Sequence, residues 1–554
     1  MVFVKRVLVC IVVTLAMAAC GGGESPSGSG VDQSGGGSPP AGSVGSGGSA
    51  GSGNLISPVP DGRRWTQAWA VEKTSGELLD FLDRPGMSIG LADDGTSTVA
   101  FAQKNAQGVL QVLVARGNAG RGDQPAMWDE PIVLDGLYPI ANAVGRPRVA
   151  VSPVGNAIVV WPTKRVCNPD GFFPTSPSCV VLVASRLMVG ASRWEDPVLV
   201  SEAADDHGEP LVFINDQGDT AIVFAGPKTP SDQRRSFSAY NIAAAFRSAG
   251  DVGWRVQHTP EIQLHSGLIY FGGEVFAGLD AAGNLTIVGE RYNELNTRDL
   301  VALRGTVLGG LGVSPKAVEL EALSGLVDVF GVSVGLDGTV AVAYRQDTPA
   351  RKAATLLAVL LPNRVVWESE DITLLVGKLS TPDVLDFLET PVAWAMRVPD
   401  QAQGNVVFFR ECTVVRRVAG TWQPSTQLPG KCYWGQTDRR GSFAMDRNGS
   451  FVFLDPAGRW SAYDITRNGY TKRLTDQLAD ATVDDYVLGV KADPRMQNDL
   501  NQLLMTDTVT VSMLVPSGTA LFVVRSPYAL MPSAAAPFGD AGKLHNLWAM
   551  YYRH

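Results

Sequence analysis

The chain has 554 residues, of which 45% are apolar and 18% charged, enough to build a large core and inconsistent with global disorder. Lys and Arg number 46 against 55 Asp and Glu, a formal charge of −9, so a mainly nucleic-acid-binding role lacks the basic surface it needs. No uninterrupted apolar run reaches the length of a membrane-spanning helix, and length alone allows roughly three or four domains.

The chain begins with Lys5 and Arg6, then an apolar run from Val7 to Ala16, then Met17, Ala18, Ala19 and Cys20, which reads as an export signal rather than as structure. This stretch resembles the bacterial lipoprotein signal, with Met17 where a leucine is usual. The resemblance implies that residues 1–19 are removed and that Cys20 becomes the mature N-terminus, carrying acyl chains such as palmitate. Several chains on one cysteine anchor stably, because each buried methylene contributes about 0.8 kcal/mol. Gly21 in place of an aspartate implies, by the same resemblance, the outer membrane, with its periplasmic or outward face left open. Loss of Lys5 and Arg6 takes the mature chain to −11.

Residues 20–58 form a tether: positions 21–53 hold 14 Gly and 9 Ser, too little apolar surface to offset chain entropy. Its root-mean-square reach is about 30 Å. These glycines are not a phosphate loop, since no strand precedes them and no Gly-Lys-Ser/Thr follows. Cys10 leaves with the signal, so four cysteines remain in the body, an even number in an exported protein. The local pairings Cys167 with Cys179 and Cys412 with Cys432 are preferred to the two alternatives, because each bridges neighbouring strands or closes one loop. A loop of this length is worth about 3 kcal/mol in the chain-entropy model. A zinc site, the rival reading, has neither CxxC nor HxxxH spacing behind it.

From residue 59 to 554 one unit recurs. SIGLADDGTSTVAF (88–101), RVAVSPVGNAIVVW (148–161), LVFINDQGDTAIVF (211–224), VFAGLDAAGNLTIVG (275–289), GVSVGLDGTVAVAY (331–344) and SFAMDRNGSFVFL (442–454) each pair two alternating apolar strands across a turn ending in Gly. Weaker copies lie at 392–409 and 511–524. The marker glycines, Gly95, Gly155, Gly218, Gly283, Gly338, Gly404, Gly449 and Gly518, recur about every 60 residues, and each sits where a tight hairpin needs positive φ. A third strand follows (VLVAR, VVLVASRL, IAAAF, LVALRG, TVVRRV). A fourth opens near a tryptophan: Trp128, Trp194, Trp254, Trp367 or Trp422. Four antiparallel strands at this period predict an all-β, eight-bladed β-propeller, with seven blades as the alternative. RRWTQAWAVE (63–72) copies the fourth strand but has no first three before it, while the last unit stops after its third strand, NLWAMYYR (546–553). The N-terminal strand is therefore expected to complete the last blade and protect its edge.

Strand order sends the glycine turns to one face and the longer segments 162–179, 226–239, 290–298, 475–509 and 525–545 to the other. Extended loops on a rigid scaffold are where binding resides, so the candidate binding residues are Arg165, Phe172, Phe173, Arg291, Tyr292, Tyr433 and Trp434. No catalytic constellation stands out. The five histidines form no nucleophile motif, and the adjacent pairs Asp93–Asp94, Asp205–Asp206 and Asp484–Asp485 fall in turns rather than facing one another. The DxxG turns superficially resemble the Asp-box of sialidase-like propellers but lack its serine or threonine and its aromatic together. The expected protein is a monomeric, membrane-anchored extracytoplasmic lipoprotein whose propeller binds or scaffolds a protein or glycan, with no cofactor, metal or nucleic acid. In shape and anchor it resembles the eight-bladed accessory lipoprotein of outer-membrane barrel assembly. The alternative is a carbohydrate-active hydrolase or lyase with its site in the funnel on the loop face.

Overall fold

The computed structural model describes residues 69–71, 87–105, 107, 109–120, 126–134, 147–166, 178–204, 210–226, 240–264, 275–292, 298–311, 318–321, 326–347, 354–362, 364, 366–376, 394–397, 406–410, 413–418, 420–427, 442–446, 449–454, 459–466, 469–477, 509–514, 520–525, 531–532, 544–545 and 547–552. The chain divides into two compact units, Met1–Ser52 and Gly53–His554, and every described residue belongs to the second, so the several domains that length allowed are not found. The fold is nearly all β. A single short helix, Thr373–Val376, occurs among the described residues, and no helix there is long and apolar enough to cross a membrane.

Among the described residues eight antiparallel sheets of four or five strands follow one another along the chain, numbered here I to VIII, and a ninth pairs only Met531–Pro532 with Leu544–His545, inside the 525–545 segment expected as an irregular loop. Sheet I is Met87–Leu91, Thr96–Lys104, Leu110–Asn118 and an outer strand broken into Met127–Trp128 and Ile132–Val133. Sheet II is Arg148–Val151, Ala157–Val166, Ser178–Leu187 and Val198–Ala204; sheet III is Leu211–Ile214, Thr220–Gly226, Tyr240–Arg247 and Arg255–Leu264. Sheet IV runs from Val275–Leu279 through Asn284–Tyr292 and Arg298–Thr306 to Val318–Glu321, and sheet V from Leu326–Val334 through Val340–Asp347 and Ala354–Leu360 to Glu368–Asp371. Sheet VI is Trp394–Arg397, Val406–Arg410 and Thr413–Val418 with the outer pieces Thr421–Trp422 and Thr426–Gln427; sheet VII is Ser442–Met445, Phe451–Leu454, Arg459–Thr466 and Gly469–Gln477. Sheet VIII takes Val509–Leu514, Ala520–Arg525 and Leu547–Tyr552 from the end of the chain and Trp69–Ala70 from its beginning, with Trp69 opposite Ala549 and Ala70 opposite Trp548.

The core lies between the sheets. Each buried cluster joins two consecutive sheets: I with II, II with III, III with IV, IV with V, and V with VI. Another cluster joins Val71, Leu521 and Tyr551 to sheet I. The middle strands are therefore buried on both faces. Along AIVVW of sheet II, Ala157, Val159 and Trp161 face sheet I while Ile158 and Val160 face sheet III. That explains a departure from the expected alternation: a strand covered on both sides reads as a continuous apolar run. The fourth-strand tryptophans serve this packing, with Trp128, Trp194 and Trp367 at 8% exposure or less.

First strands of successive sheets lie side by side from I to VI, and VII, VIII and I likewise. Gly90 of sheet I and Gly278 of sheet IV stand at the same repeat position, five residues before the marker glycine, and a Cβ on either would come within 2.4 Å of Val151 or Val334 of the next sheet. The missing side chain lets these strands approach. The segment 290–298, expected as an irregular loop, is a correction: the flanking strands extend to Tyr292 and from Arg298, which face each other in register.

Candidate functional site

Six marker glycines, Gly95, Gly155, Gly218, Gly283, Gly338 and Gly449, have φ between 80° and 101°. In each turn the glycine N–H donates to the carbonyl three residues back, and that same residue's N–H donates to the carbonyl of the residue after the glycine, as in Asn215–Gly218–Asp219. This is a type I turn closed by a left-handed glycine, the arrangement that suits a hairpin loop of this length. Strands alternate in direction, so in sheets I to VII the first-to-second and third-to-fourth connections share one end.

Neighbouring turns are hydrogen-bonded to each other. Asp93 N donates to Pro153 O at 3.0 Å, Ala281 N to Leu336 O at 3.1 Å, and Asn156 Nδ2 to Asp216 O at 2.9 Å. A recurrent arginine reinforces these joints. Arg116, Arg186 and Arg304 stand on third strands opposite Thr98, Ile158 and Thr286, each three residues past a marker glycine. Each reaches the glycine carbonyl of the next sheet: Gly155 at 3.4 Å, Gly218 at 3.4 Å and Gly338 at 3.3 Å. Arg416 occupies the same register position in sheet VI, opposite Val407, and Tyr551 holds it in sheet VIII, opposite Leu521. The Tyr551 hydroxyl is hydrogen-bonded to Ser97 of sheet I, its ring stacks on Trp128 at 5.7 Å, and burial pushes its pKa well above the usual phenol range.

Two carboxylate clusters add to the joints. Glu195 of sheet II accepts from Arg186 of its own sheet at 3.2 Å and forms an ion pair with Arg247 of sheet III at 2.9 Å. Burial and then the Arg186 charge lower the Arg247 pKa, against the opposing pull of Glu195. Arg417 of sheet VI pairs with Glu370 at 2.7 Å and Glu368 at 3.3 Å of sheet V, and Trp422 Nε1 donates to Glu370 at 2.9 Å. Arg255 of sheet III donates to Val307 O and Leu308 O of sheet IV at 2.6 and 2.7 Å. The arginines were visible in the third-strand segments VLVARG, VLVASRL, LVALRG and VVRRV, and their common offset from the marker glycine was the signal that could have found them.

Chemically, the charged groups described at this end are spent on joining neighbouring sheets. Its buried guanidinium groups are committed to carbonyls and carboxylates. Asp94, from a carboxylate pair considered above, accepts the Thr96 N–H within its own turn at 2.8 Å. Among the described residues no group of three His, Cys, Asp or Glu side chains is placed to hold a metal ion.

Of the sequence-based binding candidates, Arg165, Arg291 and Tyr292 are described, and they lie at the opposite end. Arg165 lies near the end of the second strand of sheet II, opposite Cys179. Arg291 and Tyr292 end the second strand of sheet IV, opposite Asp299 and Arg298. They are strand residues, not the loop residues expected. Cys20, Cys167, Phe172, Phe173, Cys412, Cys432, Tyr433 and Trp434, and with them both expected disulfides, lie outside the described residues, as do Asp205–Asp206 and Asp484–Asp485.

No family model matches the chain, and no curated protein matches it. Among solved structures it is similar to the β-propeller domain of the Trilobed protease from Pyrococcus furiosus, described as having an open velcro topology, at 9% identity and TM-score 0.35 over 73% of this chain and 98% of that one. It is also similar to YCF48 bound to D1 peptide, at 9% identity and TM-score 0.34 over 90% of this chain and 99% of that one. A third likeness, to prolyl oligopeptidase B from Galerina marginata, has 12% identity and TM-score 0.36 over 82% of this chain and 56% of that one. At these identities and scores no residue role carries across.

Proposed function

We propose that the protein is an eight-bladed β-propeller lipoprotein, acylated at Cys20, held on the extracytoplasmic side of a membrane, and presenting the end opposite its glycine turns to a protein or glycan. The eight consecutive sheets, their side-by-side first strands and the place of Trp69–Ala70 in sheet VIII support a ring rather than a row.

One observation carries the binding role: the two ends of the sheets are built differently. At the glycine-turn end short turns are bonded to their neighbours and the buried charges are spent on those bonds. At the other end the flanking strands are joined by longer stretches of sequence, 167–177, 227–239, 265–274 and 478–508, which lie outside the described residues. Loops of this kind on a stiff scaffold supply recognition surfaces.

The test is a glycan array and a cross-linking capture with the acylated protein, repeated with Trp434→Ala. A specific glycan or protein, bound at least about ten-fold more weakly by the variant at unchanged melting temperature, is the expected result, since a central aromatic anchor is worth 2 kcal/mol or more. Turnover of a polysaccharide, abolished by replacing one carboxylate, would overturn the binding role in favour of a hydrolase or lyase.

A further inference from the structure

Of the eleven exposed large apolar side chains among the described residues, Val109, Ile132, Val133 and Leu374 lie away from the glycine-turn end and seven lie at it. Six of them occur one per sheet, from sheet I to sheet VI, at or beside the connection between third and fourth strands: Met127 (58% exposed), Val189 (58%), Val252 (85%), Leu308 (76%), Val366 (72%) and Val418 (37%). All six lie at the glycine-turn end. The strand Trp69–Ala70 starts at the same end. In sheet VIII Tyr552 is opposite Ala520, which opens the second strand, and the register runs from Trp69 at Ala549 to Ala70 at Trp548, so Trp69 lies on the glycine-turn side of Ala70.

We propose that this end is a lipid-docking surface, lying flat on the bilayer in which the Cys20 acyl chains are embedded; the inference rests on the lipoprotein reading above. Single protrusions spaced one per sheet suit a soft, continuous apolar medium, into which each inserts independently, better than a protein partner, which needs a contiguous desolvated cluster. Cys20 precedes Trp69 by 49 residues, so acylation there would raise the effective concentration of this surface at the membrane, and a weak affinity suffices. Exposed Asp129, Glu130, Asp196, Asp216 and Asp251 outnumber exposed Arg193, Arg255 and Arg364 at this end, so the preferred surface is zwitterionic rather than anionic. Docked this way, the body turns its long loops away from the membrane.

The experiment uses the whole mature chain with Cys20→Ser, which carries no acyl chain, floated with phosphatidylcholine vesicles and with vesicles containing one part phosphatidylglycerol in three. The expected result is co-flotation with the first, less with the second, and about a ten-fold lower bound fraction for the triple variant Val252→Ser, Leu308→Ser, Val366→Ser. Leu374→Ser, at the opposite end and fully exposed, is expected to float as the parent does. Failure of the Cys20→Ser chain to float, or equal flotation of the triple variant with its near-ultraviolet circular dichroism intact, would overturn the proposal, as would a dimer on sizing that the triple variant abolishes. Intact-mass measurement of the wild-type chain extracted from membranes tests acylation separately, so loss of one reading leaves the other standing or falling on its own result.

Discussion

Replacing Arg186 with methionine keeps most of the side-chain volume and removes the guanidinium that joins sheets II and III. Arg186 is 1% exposed. It makes two bonds to Glu195, both at 3.2 Å, and four to the carbonyls of Ser248 at 3.0 Å, Asp251 at 3.3 Å, and Gly218 and Ala249 at 3.4 Å. Glu195 keeps Arg247 at 2.9 Å, so the carboxylate is not stranded, but the carbonyls of the next sheet lose a buried donor. Breaking a buried ion pair typically costs 3–5 kcal/mol, and the remaining partner places this loss near the middle, about 4 kcal/mol. At roughly 2.1 cal/mol/K of unfolding entropy per residue, a body of this size would lose about 4 °C in melting temperature if it unfolds cooperatively. The same exchange at Arg304, which bonds two carbonyls and no carboxylate, should cost about 2 kcal/mol. At Arg116, with one long bond to Gly155 O, it should cost about 1 kcal/mol. Urea unfolding followed by tryptophan fluorescence, at unchanged m-value, measures all three. Equal losses at the three positions, or a loss under about 1 kcal/mol at Arg186, would refute the view that these arginines hold the joints in proportion to their bonds.

Tyr551→Phe should lower stability by about 1 kcal/mol near neutral pH, through the lost bond to Ser97, yet flatten the alkaline limb. The folded protein keeps the phenol neutral, so its contribution is whole below the unfolded value near pH 10 and falls above it by about 1.4 kcal/mol per pH unit, and the variant lacks that fall. Urea midpoints between pH 8 and 11.5 should therefore converge; parallel curves would count against the buried hydroxyl. Gly218→Ala meets both a φ of 86° and the flexible tip of the Met188 side chain, whereas Gly190→Ala, at φ 82° with nothing within 4 Å, meets only the backbone strain. Both should cost about 1–2 kcal/mol by thermal unfolding, because the Met188 tip can swing aside, and a cost at Gly218 several times that at Gly190 would refute this. Deleting residues 63–72 should lower the melting temperature far more than deleting 24–53, and equal values would refute a structural role for the N-terminal strand.

Local features of the fold were legible in the sequence, because a tight hairpin needs a left-handed residue and only glycine takes it at no steric cost. Gly95, Gly155 and Gly218 thus announce their turns whatever surrounds them. Trp128, Trp194 and Trp367 were legible through recurrence at one position. The arginines were not. A charge near the end of a strand reads as solvated, and the carbonyl that claims Arg186 belongs to a turn 32 residues further on, in a different sheet. Pairing across sheets depends on how sheets stack, which periodicity within one strand does not encode. Arg291 and Tyr292 were misread for a related reason: polar residues at the end of a long strand look like a loop when the partner strand that extends them is not yet known. The binding surface was the least legible part, since its loops share no pattern that repetition could expose.

The pairing of Trp69 with Ala549 sets a timetable for biosynthesis. The two residues are 480 positions apart, so at roughly 5–20 residues per second the first strand leaves the ribosome about half a minute to a minute and a half before its partner exists. Throughout that interval its backbone donors and acceptors have no native mate. The synthesis of Leu547–Tyr552 therefore decides when sheet VIII can close around its N-terminal strand.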